Sequence, residues 1–243
     1  MPRLNVPRPS KHNNDKGYPT EPRHANHISA FQAHIIAATW EFVGTFMFLY
    51  FSFACQIMLH TQASETSTQI GGASSQQNVF TALVHGFSLL VNVWAFYRIK
   101  VTFGLVLVGS LPPIRGLFLF PAQLLAGMSA GGLVQAMFPG DIKLCSTTLS
   151  TGTSIAQGVF IEIAFFAMMG GIYYTGGSLN PTRSFGPAVA GTSFPGYHWI
   201  HWVGPLLSAA VAAGYYRFVK YFTYEEVNPG KYLRRYSSSR YPT

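Results

Sequence analysis

Apolar residues gather in long runs along this chain, and polar residues collect between them. Five runs, at about 35–59, 79–97, 116–138, 153–175 and 199–216, approach or reach the ~20 residues that a helix needs to cross a bilayer. Two more, Val101–Ser110 and Asn180–Ala190, are about half that length. The gaps differ in charge. Residues 60–78 are rich in Ser, Thr and Gln and hold no Lys or Arg, 139–152 hold one lysine, and 176–198 hold one arginine. Those gaps suit the extracytoplasmic side, whereas Arg98, Lys100 and Arg115 mark a cytoplasmic connection. Residues 1–34, with Pro2, Pro7, Pro9, Pro19 and Pro22, read as a disordered tail, and 223–243 as a basic tail. The pattern predicts an all-α, multi-pass membrane domain over 35–222, with both termini cytoplasmic.

The second half-length run has a distinctive entry, Gly176-Gly177-Ser178-Leu179-Asn180-Pro181-Thr182-Arg183. Asn180 is a good N-cap, and Pro181 sits at the first helical position, where its missing N–H costs nothing. Arg183 in the first turn opposes the positive end of the helix dipole. Taken alone, the stretch fits a surface loop entering a helix equally well. In a chain of membrane spans it predicts a re-entrant half-helix lining a polar passage.

Composition narrows the class. Charged residues make up 10% of the chain and hydrophobic residues 49%, with a mean hydropathy of +0.22. A soluble domain carries about 25% charged residues. The net charge of +8 would suit nucleic acid, but eleven of the sixteen Lys and Arg lie before residue 24 or after residue 216. Basic tails beside apolar runs point to anionic lipid instead, so no nucleic-acid partner is expected. Cys55 and Cys145 form neither a disulfide framework nor a metal spacing. The histidines are scattered, and His198 and His201 near the last run read as interfacial. No catalytic cluster, metal site or cofactor motif stands out, so an enzyme is not expected. No early apolar segment predicts a cleavable signal peptide.

A few polar residues lie inside the runs. Glu41 and Glu162 are ionisable groups in hydrocarbon and should face the bundle interior, as should Gln123. Gly127-Met128-Ser129-Ala130-Gly131 has the small-xxx-small spacing that permits close helix contact, or is simply glycine in a membrane helix. Trp199, Trp202, Tyr215 and Tyr216 flank the last run like an aromatic belt.

The order of features repeats: a run with one glutamate, a half-length run, a closing run. Such inverted repeats are common in transporters and channels. The halves are unequal, however. Glu41 lies 60 residues before Val101, but Glu162 lies only 18 before Asn180. Two basic tails also require an even number of crossings, and five long runs are present. Either 153–175 is the collapsed remnant of two spans, or the orientation rule is broken here.

These residues resemble the aquaporin (major intrinsic protein) family, and the orthodox fungal-type water channels in particular. Gly176 to Ala188 resembles the second Asn-Pro-Ala signature with its following Arg-Ser. Glu41-Phe42-Val43-Gly44-Thr45-Phe46, Pro121 to Gly127 and Thr153 to Glu162 resemble the first, third and fourth helices. The resemblance covers roughly 35–222. It implies an inverted-repeat bundle in which two half-helices meet end to end and pass water without making or breaking a bond. It implies pore and filter roles for Asn180, Pro181, Thr182, Arg183 and Gly177. His85 falls where orthodox water channels have phenylalanine, and Glu41, Glu162 and Gln123 would be structural buried polar groups. Water, with glycerol or other small neutral solutes as the wider class, would be the cargo. The lipid bilayer and other aquaporin subunits, in a homo- or hetero-tetramer, would be the partners. A plasma membrane and a vacuolar or other endomembrane fit equally.

The chain also departs from the family. Val101-Thr102 follows Arg98-Ile99-Lys100 where the family has its first Asn-Pro-Ala. Lys100 should therefore snorkel to the cytoplasmic surface, leaving 101–110 as a stub or an extension of a neighbouring span. Most of the fifth helix is lost between about Ile163 and Gly170, so the filter histidine position falls on Met168. The second motif reads Asn-Pro-Thr. Two alternatives to a water channel follow: a non-conducting aquaporin-derived protein, or a truncated splice or gene-model form that acts only with intact subunits.

Overall fold

The computed structural model describes residues 29–67, 75–96, 102–163 and 170–222. Secondary structure among them is helical: α1 (Ala30–Ser67), α2 (Ser75–Phe96), α3 (Thr102–Leu107), α4 (Pro113–Met137), α5 (Ile155–Ile163), α6 (Ile172–Thr175), α7 (Pro181–Ala190) and α8 (Ile200–Tyr221). A 3₁₀ turn, Ile142–Cys145, lies between α4 and α5. Most of both tails, Arg98, Lys100 and Met168 lie outside the described residues.

Two helix starts share one device. Ser29 Oγ accepts from Gln32 N at 3.2 Å while Gln32 Oε1 accepts from Ser29 N at 2.9 Å. Ser154 and Gln157 repeat that reciprocal capping at the start of α5. Because of the first box, α1 begins at Ala30, inside the stretch expected as tail.

Among the described residues, three helices are long and apolar enough to cross a membrane: α1 over Ala30–Gln62, α2 over Gln76–Ala95, and α4. The fourth long helix, α8, has 22 residues. The run at 153–175 is not a single helix. It holds α5, of 9 residues, and α6, of 4, and Gly176 ends α6 at φ 76°. Residues 164–169, between the two, lie outside the described residues.

The helices are inverted relative to those of a water-soluble protein. On α2 the polar residues Gln77, Thr81, His85, Ser88 and Asn92 recur every three or four positions, and all are buried. The opposite face shows Phe80, Phe87, Leu90 and Trp94, the last 86% exposed. On α1, Glu41, Thr45, Ser52 and Gln56 form a second buried polar stripe. Ser88 Oγ donates to Phe48 O at 2.7 Å, joining the two helices. Polar-in, apolar-out is the arrangement hydrocarbon selects, because it cannot satisfy a polar group.

α1 packs on α4 and α2, α5 packs on α8, and α4 and α8 each touch both short helices α3 and α7. Between α1, α4 and the 3₁₀ turn lies an apolar core of Phe48, Leu49, Phe53, Ile57, Val134 and Ile142. The small-xxx-small pair on α4 receives the half-helix α7 rather than a full span. A Cβ on Gly186 would run into the Gly127 carbonyl oxygen, and one on Gly131 would lie 3.0 Å from Gly186 O. Within the stretch 101–110, Thr102–Leu107 form the short helix α3, which packs against α8 and α4. Trp202, expected in an aromatic belt, is half-buried. Its ring packs between Phe120 and Phe185, with centroids 6.3 and 5.5 Å away, and ties α8 to α4 and α7.

Candidate functional site

The site is built on α7 and its entry loop. Asn180 is extended, with φ −149° and ψ 116°, and its Oδ1 accepts from Thr182 N at 3.0 Å. Pro181 follows at the first helical position. Ahead of this cap the backbone turns through three left-handed residues, Gly176 (φ 76°), Gly177 (φ 61°) and Leu179 (φ 51°). A Cβ on Gly176 would stand 2.8 Å from Thr147 Cα, so only glycine fits there. Leu179 has a side chain and is strained by about 1–3 kcal/mol.

Glu162 holds this strained turn. Its Oε1 accepts from Ser178 N at 3.0 Å, and its Oε2 accepts from Leu179 N at 2.9 Å. Gly177 N donates to Thr175 Oγ1, and Ser184 Oγ donates to Ser178 Oγ at 2.6 Å. Glu162 is wholly buried, and α8 closes over it at Gly204, where a Cβ would strike Glu162 Cβ. His201 is equally buried, with Nδ1 3.6 Å from Glu162 Oε1. The interfacial position expected for His201 is therefore wrong, because α8 turns this residue onto α5 and inward. His198, in the turn before α8, is half-buried. Burial, and then the neighbouring His201, hold its pKa below the usual 6.5.

Arg183, one turn into α7, is 2% exposed. Its Nη1 donates to Cys145 O at 2.7 Å and its Nη2 to Gln56 Oε1 at 3.2 Å. Gln56 Nε2 donates in turn to Leu144 O at 3.1 Å. Thus α1, the 3₁₀ turn and α7 converge on one guanidinium. Cys145 contributes its carbonyl. Its thiol is buried, which pushes its pKa up to about 12 against the pull of Arg183. His85 on α2 lies within electrostatic reach of Arg183. Its Nδ1 is 2.9 Å from Thr81 O, and its Nε2 is buried without a hydrogen-bond partner.

The first glutamate stands elsewhere. Gln123 Nε2 donates to Glu41 Oε1 at 2.6 Å and lies 3.0 Å from Thr102 Oγ1, at the start of α3. Glu41, Gln123 and Thr102 thereby link α1, α4 and α3.

The structure brings Asn180, Pro181, Thr182, Arg183, Gly177 and Glu162 into one assembly with His85 beside it, and keeps Glu41 and Gln123 together at the other short helix. Sequence reasoning missed Gln56, the Cys145 carbonyl, Thr102 and the Ser178–Ser184 contact. For Gln56 a signal was present: it follows Ser52 by one helical turn, on the face that also carries Glu41 and Thr45.

Comparison with known proteins gives the family. The major intrinsic protein family matches residues 26–171 and 164–216, two ranges that overlap at 164–171. A probable aquaporin-3 of Gibberella zeae is 49% identical over 249 residues, covering 87% of this chain and 87% of its own. That alignment has more positions than the 243 residues of this chain, so the relative carries internal segments that face gaps here. An aquaporin-7 of Botryotinia fuckeliana is 40% identical over 82% of this chain, which spans about half (52%) of that protein. The X-ray structure of the aquaglyceroporin from Plasmodium falciparum matches the fold with a TM-score of 0.55 at 18% identity, over 75% of this chain and 95% of that one. With an inward polar face, a capped half-helix and this match along most of its length, the chain belongs to the major intrinsic protein family of membrane channels.

Proposed function

We propose that the chain conducts water passively across a membrane, with both termini cytoplasmic and glycerol as the next solute in order. One observation carries the reading: the α7 half-helix is fully furnished. Asn180 caps its own helix through Oδ1, which leaves its amide N–H₂ free to donate to a passing oxygen. The positive end of α7 and the Arg183 charge both face the same approach and repel cations and protons. Glu162 holds the entry loop open against its own strain. Gly177 and Thr182 keep the passage narrow, Pro181 starts the helix, and His85 sets the polarity opposite Arg183. Glu41 and Gln123 brace α3 through Thr102. The aquaporin names of the relatives support water as cargo, and the family resemblance implies a tetramer, homomeric or mixed, as the assembly. His85 in place of phenylalanine supports glycerol as the alternative cargo.

The test is stopped-flow light scattering on vesicles reconstituted with the full chain. An osmotic step should shrink them faster than empty vesicles, with a low temperature dependence. Rates equal to empty vesicles overturn the reading and leave a non-conducting member of the family, whose role co-expression with an intact subunit would then measure.

A further inference from the structure

We propose that Gln56 is a positioning residue that fixes the Arg183 guanidinium and, through it, sets which solutes pass; the solute clause rests on the channel reading above.

Gln56 lies on α1, a different element from both the half-helix and the 3₁₀ turn, and is 5% exposed. Its amide has two partners of opposite character. Leu144 O can only accept, and Arg183 Nη2 can only donate. Flipping the amide would set N–H₂ against guanidinium and oxygen against carbonyl, so the orientation is determined by its neighbours. Leu144 and Cys145 are adjacent in the 3₁₀ turn, and the Cys145 carbonyl takes the other terminal nitrogen of Arg183. The result is a closed frame: turn to Gln56, Gln56 to Arg183, Arg183 back to the turn. Without Gln56, the guanidinium keeps the Cys145 acceptor alone and can rotate about that one bond. Arg183 Nε, buried without a partner, offers no further tether.

The residue type also matters. A glutamine oxygen accepts from the guanidinium without cancelling its charge. A carboxylate in the same place would neutralise Arg183 and remove the field that opposes cations. A neutral acceptor therefore combines fixed geometry with undiminished charge, which is what a filter cation needs.

Two substitutions separate these roles. Gln56→Met keeps the volume and removes the acceptor; Gln56→Glu keeps the acceptor toward Arg183, loses the donor to Leu144 O and cancels the charge. In reconstituted vesicles, Q56M should raise the glycerol-to-water permeability ratio about tenfold, the factor that one net hydrogen bond to a charged group represents at the low end of its range. Q56E should keep the ratio near the parent's and raise the cation leak. A parental ratio in Q56M overturns the solute clause. The positioning clause has its own readout, the guanidino ¹⁵N spectrum in micelles, with the Arg183 signal identified by its loss in Arg183→Lys. The parent and Q56E should show slowed rotation of the Arg183 guanidino group, and Q56M should show fast averaging. An Arg183 signal identical in the parent and Q56M overturns the positioning clause. A parent without permeability overturns the channel reading and the solute clause together, and the spectra still decide whether Gln56 positions the arginine.

Discussion

The two short helices, α3 and α7, lie against the same pair of long ones, α4 and α8, and are built very differently. α7 has 10 residues and buries Thr182, Arg183, Ser184, Gly186, Pro187 and Ala188. α3 has 6 residues and buries Thr102. On the α7 side, α4 offers Gly127 and Gly131, and the helix sinks until backbone meets backbone. On the α3 side, α4 offers Gly116, and a Cβ there would stand 3.0 Å from the Val106 methyl. The lesson is that a half-helix in a membrane is held by what its entry and its seat provide. A capped entry, a carboxylate for the loop N–H groups and a glycine seat go together in α7.

The strongest way to break this difference is Glu162→Leu. It leaves the Ser178 and Leu179 N–H groups without acceptors in a buried site, at a cost of about 2–5 kcal/mol. Thermal unfolding in detergent, followed by tryptophan fluorescence, should show a large drop and loss of water flux. A melting temperature near the parent's would mean the loop is held by other groups.

Next in size is a matched pair on α4. Gly127→Ala drives a methyl group to 2.6 Å from Thr182 Cγ2 and 2.8 Å from Thr182 O, and backbone cannot give way. About 2 kcal/mol of destabilisation is expected. Gly116→Ala meets the Val106 methyl at 3.0 Å, which can shift, and Thr102 Cγ2 at an ordinary 3.8 Å, so the expected change is under about 0.5 kcal/mol. Equal melting temperatures for the two variants would erase the distinction between the seats.

The smallest effect comes from pH. His198 has its pKa held below 6.5 in the fold by burial and then by His201, so the unfolded chain takes up a proton first as pH falls. The stability this neutral ring contributes is present above pH 6.5 and is lost as pH drops toward the folded value. Melting curves at pH 7.5 and 5.5 should therefore differ, and His198→Phe should reduce that difference. An undiminished difference in the variant would assign the acid sensitivity to another group.

Much of this was legible in the residue pattern, for local reasons. Asn180-Pro181 specifies a helix start because cap and ring act within one turn. The shortage of chain between Glu162 and Asn180 was visible as a length. Glu162, expected as a buried polar group, took on definite partners, two backbone N–H groups. Other readings failed because local pattern could not decide them. His201 and Trp202 looked interfacial by position near a helix end, yet the close approach of α8 at Gly204 turns one onto Glu162, and aromatic packing draws the other between Phe120 and Phe185.

By itself, then, the sequence determined that this is a membrane helix bundle with a capped half-helix carrying an arginine, because hydropathy, capping and charge act over a few residues. Tertiary structure alone decided what the arginine meets. Gln56 lies 127 residues from Arg183, and the Cys145 carbonyl lies 38 residues away on a third element. Nothing in a linear pattern pairs such groups. They meet because α1 and the 3₁₀ turn pack against each other, α4 takes α7 into its glycine seat, and a buried guanidinium must find acceptors where it lands.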